Sequence, residues 1–102
     1  MINEDKVKEF LKQYKRECNI SSRFIDLTSE VGEVGKELLK SSEYGQKDIE
    51  ISEELKEELG DTLFSLLALF VENGIDPEQE LDRVLEKYRK RFEENGDISS
   101  HN

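Results

Sequence analysis

The chain predicts an all-α fold, a four-helix bundle. Three observations carry that expectation. Apolar residues recur at helical spacing in four separate segments. No segment shows the alternation of a strand. Turn and cap residues, among them Asn73-Gly74, Asp76-Pro77 and Gly96, punctuate the later segments where helices start and stop. With 102 residues, the chain makes one domain, expected to span residues 1–94, with a tail at 95–102.

The first helix is expected over about Glu4 to Glu17. Val7, Phe10, Leu11 and Tyr14 fall on one face, and Asn3 is placed to cap it. Asn19 to Ser22 reads as a break, and the second helix follows from about Ser22 to Leu39. Gly32 and Gly35 lie inside it. Each costs about 1 kcal/mol relative to Ala, which suggests either a close helix crossing or tolerated weak spots. Ser41 to Ser52 is polar and centres on Tyr44-Gly45, long enough for a crossover or a lid over a cleft. The third helix runs from about Glu53 to Asn73. Its first half is acidic, and its second half, Leu63 to Val71, is apolar nearly all round. A helix of that kind is covered on several sides, as the centre of a bundle or as half of a subunit interface. Phe64 and Ala68 are the expected contact for a second subunit. For the fourth helix, Asp76 is the N-cap, Pro77 the first residue and Gly96 the stop. Leu81, Val84, Leu85, Tyr88 and Phe92 form its expected buried stripe.

Charged residues make up 39% of the chain, hydrophobic residues 34%, and the net charge is -10. So acidic a surface disfavours nucleic acid as a partner. The N-terminus lacks the apolar core of a signal peptide, and the longest apolar run, Leu66 to Val71, has six residues. Neither a membrane partner nor secretion is expected, so the expected location is the cytoplasm. The single cysteine, Cys18, forms neither an internal disulfide nor a zinc cluster.

Two acidic pairs stand out by position. Glu30 with Glu33, and Glu58 with Asp61, have the three-residue spacing that aligns side chains on a helix. Pairs with this spacing also occur at 50-53, 54-57 and 94-97, so spacing alone says little. The two chosen pairs border the apolar stripes of the helices with the strongest core signal. If those helices pack antiparallel, four carboxylates meet in one cleft, and such a group needs a cation. His101, the only histidine, lies in the tail, so di-iron and zinc chemistry lack their usual ligands. An all-carboxylate site selects a hard cation, Mg²⁺ or alternatively Mn²⁺, which takes phosphate oxygens as further ligands. Lys87 and Arg91 share a face of the last helix. They either hold outer phosphates or pair with nearby acids such as Glu86 and Glu94.

SEVGEVGKELL followed by EELGDTLFSLLALF resembles the MazG-like members of the all-α nucleoside triphosphate pyrophosphohydrolases. That family carries E-x-x-E, a gap of some two dozen residues, then E-x-x-D. Here Glu30-x-x-Glu33 and Glu58-x-x-Asp61 are separated by 24 residues. EKYRKRF resembles the family's later Lys-x-x-x-Arg element through Lys87 and Arg91, with Leu85 at a position where the family often has Asn.

The resemblance implies Mg²⁺-dependent hydrolysis of a nucleoside triphosphate between the α and β phosphates, yielding the monophosphate and pyrophosphate. It assigns Glu30, Glu33, Glu58 and Asp61 to the metal, Glu33 also to the attacking water, and Lys87 and Arg91 to the phosphates. It also implies a homodimer or homotetramer with shared pocket walls, and possible nucleotide-pool house-cleaning. Rival readings are a related activity on dUTP, dCTP or phosphoribosyl-ATP, and a non-catalytic helical interaction module.

Overall fold

The computed structural model describes residues 2–97. It contains α1 (Asp5–Gln13), α2 (Ile20–Ser41), α3 (Glu53–Glu72) and α4 (Pro77–Asn95), and no strand among the described residues. Most of the expected tail, with His101, lies outside the described residues.

Helix starts follow local side-chain chemistry. Asn19, Ser52 and Asp76 each accept a hydrogen bond from a backbone N–H in the first turn of α2, α3 and α4. Asn3 acts one residue earlier than a true cap. Its Oδ1 accepts from the Asp5 N–H at 3.1 Å, while the N-cap position belongs to Glu4.

Helix ends explain where the sequence reading missed, overshooting α1 and stopping α2 at Leu39, two residues before its end at Ser41. α1 stops at Gln13, four residues short of the expected Glu17. Lys15 takes a φ of 52°, and the Arg16 N–H reaches back to the Leu11 carbonyl at 2.9 Å. α2 closes the same way on Glu43, with the Tyr44 N–H on the Leu39 carbonyl at 2.7 Å. These are Schellman closures, which normally use glycine at the left-handed residue. α3 and α4 do end on glycine, Gly74 at φ 67° and Gly96 at φ 80°. The other two are built on Lys and Glu, which carry no such signal.

α2 and α3 form an antiparallel hairpin, and α1 lies across the C-terminal half of α3. Val7 and Leu11 of α1 pack with Leu67 and Ala68 of α3 into the core, flanked by Phe64 and Val71. Phe10 meets Phe64 edge-on at 5.7 Å between ring centres. This corrects the expectation that Phe64 and Ala68 face a second subunit. Ala68 is wholly buried, and the covering element is α1 of the same chain.

A Cβ added at Gly32 or Gly35 would meet nothing within 4 Å. They are tolerated weak spots, with no close crossing inside the chain. The α2–α3 connection is a folded turn pinned by the Ser41 hydroxyl, which donates to the Glu50 carbonyl at 2.7 Å and accepts from its N–H at 3.0 Å.

α4 departs most from a closed bundle. It touches only α3 among the other helices, and Leu81, Leu85 and Phe92 of its expected buried stripe are exposed. The radius of gyration is 16.8 Å, against about 13 Å for a compact chain of this length.

Candidate metal centre

Glu30 faces the α2–α3 seam from α2, and Glu58 and Asp61 face it from α3. Each of these three offers a carboxylate oxygen, and the oxygens lie within 4.8 Å of one another. Three of the four carboxylates marked in the sequence therefore converge. Glu33 stands outside that group. Its side chain is about half exposed and lies 4.0 Å from the Lys36 ammonium. Its charge still reaches Glu30 and Glu58.

The electrostatics follow from crowding. Loss of water contact pushes the Glu30 carboxyl above its ordinary range, and the charges of Asp61, Asp26, Glu58 and Glu33 push it further. Glu58 is raised for the same reasons, with Asp61 and Glu33 its strongest charged neighbours. No base faces this repulsion inside the triad, which is the situation a bound divalent cation relieves. All three donors are carboxylate oxygens, matching a hard cation.

A cleft of about 560 Å³ opens beside the triad. Phe10, Leu11 and Phe64 form an apolar side, while Asp26, Glu30, Asp61 and Ser65 form a polar one. The 42–52 turn does not line it, so the lid expectation has no counterpart here.

The wall of this cleft rests on a group that sequence reading passed over. Arg23, only 7% exposed, donates to Glu72 through Nε at 2.9 Å and Nη2 at 3.0 Å. Nη2 also donates to the Arg16 carbonyl at 3.0 Å, and Nη1 to Asp26 Oδ2 at 3.1 Å. The Ser65 hydroxyl donates to the same Asp26 oxygen at 2.7 Å. The Cys18 N–H donates to Glu72 Oε2 at 2.9 Å. Burial pushes the Glu72 carboxyl up, but the bonds from Arg23 and Cys18 outweigh it and hold the group below its ordinary range. The network ties the α1–α2 connection, α2 and α3 together just above the triad. The available signal was the Arg23-x-x-Asp26 spacing, which puts both residues in line with Glu30 and Glu33 along α2.

Lys87 and Arg91 are elsewhere. Both lie on α4, around a shallow surface hollow with Arg83, Glu86, Lys90 and Glu94. The Lys87 ammonium sits 5.3 Å from the Tyr88 ring centre. Neither residue lines the cleft beside the triad.

No described helix is long and apolar enough to cross a membrane. Neither the curated proteins nor the solved structures hold a match to the chain. The profile of the MazG nucleotide pyrophosphohydrolase domain does match, over residues 20–95. That span starts with the first residue of α2 and ends with the last of α4. It includes both acidic pairs and leaves out α1. Since the match takes in both helices that carry the carboxylate triad and most of the chain, this protein belongs to the MazG nucleotide pyrophosphohydrolase family.

Proposed function

We propose that the protein hydrolyses nucleoside triphosphates between the α and β phosphates, with Mg²⁺ held by Glu30, Glu58 and Asp61. The convergence of these three carboxylates within 4.8 Å, in a chain of this family, is the observation that supports the reading. When bound, the cation neutralises phosphate oxygens and lowers the barrier to attack at phosphorus. Mn²⁺ is the expected substitute. Glu30, Glu58 and Asp61 would hold the cation at the α2–α3 seam, and its charge would offset their repulsion of the phosphates. Glu33, one turn beyond Glu30, accepts the proton of the attacking water and would be the fourth carboxylate available to the cation. The apolar wall at Phe10 and Phe64 accommodates the nucleoside. The reaction belongs in the cytoplasm as a nucleotide-pool activity.

Lys87 and Arg91 reach the phosphates from a second copy of the chain. The exposed stripe of α4 supports this, as do Leu59, Leu63 and Leu66 on the open side of α3. The accessible surface is 7870 Å², against about 5900 Å² for a compact monomer of this mass. A homodimer closing these faces completes both the core and the charge complement.

Incubation with a panel of ribo- and deoxyribonucleoside triphosphates, with Mg²⁺ or EDTA, tests the proposal. The expected products are the monophosphate and pyrophosphate, with no turnover in EDTA. Release of inorganic phosphate instead, or turnover unaffected by chelation, would count against it.

A further inference from the structure

We infer that Asp26 recognises a sugar hydroxyl of the nucleotide; this rests on the function proposed above. Asp26 and Ser65 meet one helical turn from Glu30 and Asp61, on the same faces of α2 and α3. Phosphates at the triad leave the sugar at the level of that next turn, about 5.4 Å further along the seam. The aromatic wall of Phe10 and Phe64 lies alongside in the same cleft.

The carboxylate of Asp26 is built for this task. Its Oδ2 is occupied by the Arg23 guanidinium and the Ser65 hydroxyl. Its Oδ1 accepts no hydrogen bond from the described residues, and the side chain is 42% exposed at the cleft. Asp26 is not in the group that converges within 4.8 Å, and its bonded oxygen is turned to Arg23 and Ser65. A clamped carboxylate with one open oxygen suits a neutral donor held in a fixed position, which a ribose hydroxyl is. Arg23, bonded to Glu72 on both its oxygens, cannot swing away to take a phosphate.

The experiment compares kcat/KM for ribo-, 2′-deoxy- and 2′,3′-dideoxynucleoside triphosphates of one base, on wild type, Asp26→Ala and Asp26→Asn. Loss of a hydrogen bond to a charged group predicts that wild type discriminates against the analogue lacking the hydroxyl by about ten- to a hundredfold. The three substrates separate the 2′ from the 3′ hydroxyl. In Asp26→Ala that discrimination should shrink to about threefold or less. Should Asp26→Ala fail to fold, Asp26→Asn carries the comparison, because its amide oxygen still accepts from Ser65. Wild type indifferent to both hydroxyls overturns the inference, as does an Asp26 variant that loses activity equally on all three substrates. Wild type that converts none of them to monophosphate and pyrophosphate removes the proposed function itself, and the role of Asp26 with it.

Discussion

Glu58 and Asp61 occupy adjoining turns of α3 and face Glu30 across the seam. Their mutual repulsion is the cost of a site ready to take a cation. Glu58→Gln and Asp61→Asn should each reduce kcat by at least about a hundredfold, as loss of a transition-state charge interaction does. Neither should lower the melting temperature of the metal-free protein, because each removes one of the crowded charges. Activity within a few-fold of wild type in either variant would place the cation elsewhere. Arg23 behaves in the opposite way. Its partner Glu72 has a side chain only 5% exposed, so Arg23→Ala leaves a buried carboxylate without its counter-charge. Breaking such a pair costs about 3–5 kcal/mol, readable from urea unfolding. Since Glu72 is held below its ordinary range, its contribution is present at neutral pH and is lost as pH falls through that range. The stability gap between wild type and Arg23→Ala should therefore narrow in acid.

At the scale of the element, α1 and α4 are the two helices whose packing was hardest to foresee. α1 is only nine residues long, too short to be stable alone. It persists because Val7 and Leu11 reach the core. Leu11 is 1% exposed, and Leu11→Ala should cost about 2–5 kcal/mol. The same change removes part of the cleft wall, so KM should rise in the folded fraction. An unchanged KM would show that α1 supports the fold without shaping the site. α4 is capped securely at Asp76 and at Gly96, yet its apolar stripe faces outward. Leu85→Glu should therefore leave the helix content intact by circular dichroism and convert a dimer to monomer by light scattering. A wild-type protein that is already monomeric at micromolar concentration would refute the shared site.

For the molecule as a whole, metal and proton compete for the same oxygens. Glu30 and Glu58 are raised above the ordinary carboxyl value of 4.5. Groups raised in the folded state favour folding below that value and lose this contribution as pH rises through their shifted range. The metal-free protein carries its full repulsion at neutral pH, where Mg²⁺ should raise the melting temperature most. That increment should shrink as pH falls toward 4.5 and the site protonates. Mg²⁺ that stabilises Glu58→Gln as strongly as wild type would mean that binding occurs outside the triad.

Local chemistry was legible in the sequence wherever one residue decides the outcome. Asp76-Pro77, Gly74 and Gly96 marked the ends of α3 and α4. The periodic apolar residues marked four helices, and the spacing of Glu30, Glu58 and Asp61 put them on facing stripes. The closures on Lys15 and Glu43 were not legible, because a left-handed Lys or Glu leaves no compositional trace. Tertiary structure alone decided three further things. It set α1, not a second subunit, over Phe64 and Ala68. It left Glu33 outside the converging triad and Lys87 and Arg91 away from the cleft. It also joined Arg23 to Glu72, 49 positions apart. Periodicity determines which face of a helix is apolar, because that depends only on the residues of that helix. What covers the face depends on the relative placement of helices, and that is set by the packing of the whole chain and of whatever closes its open surface.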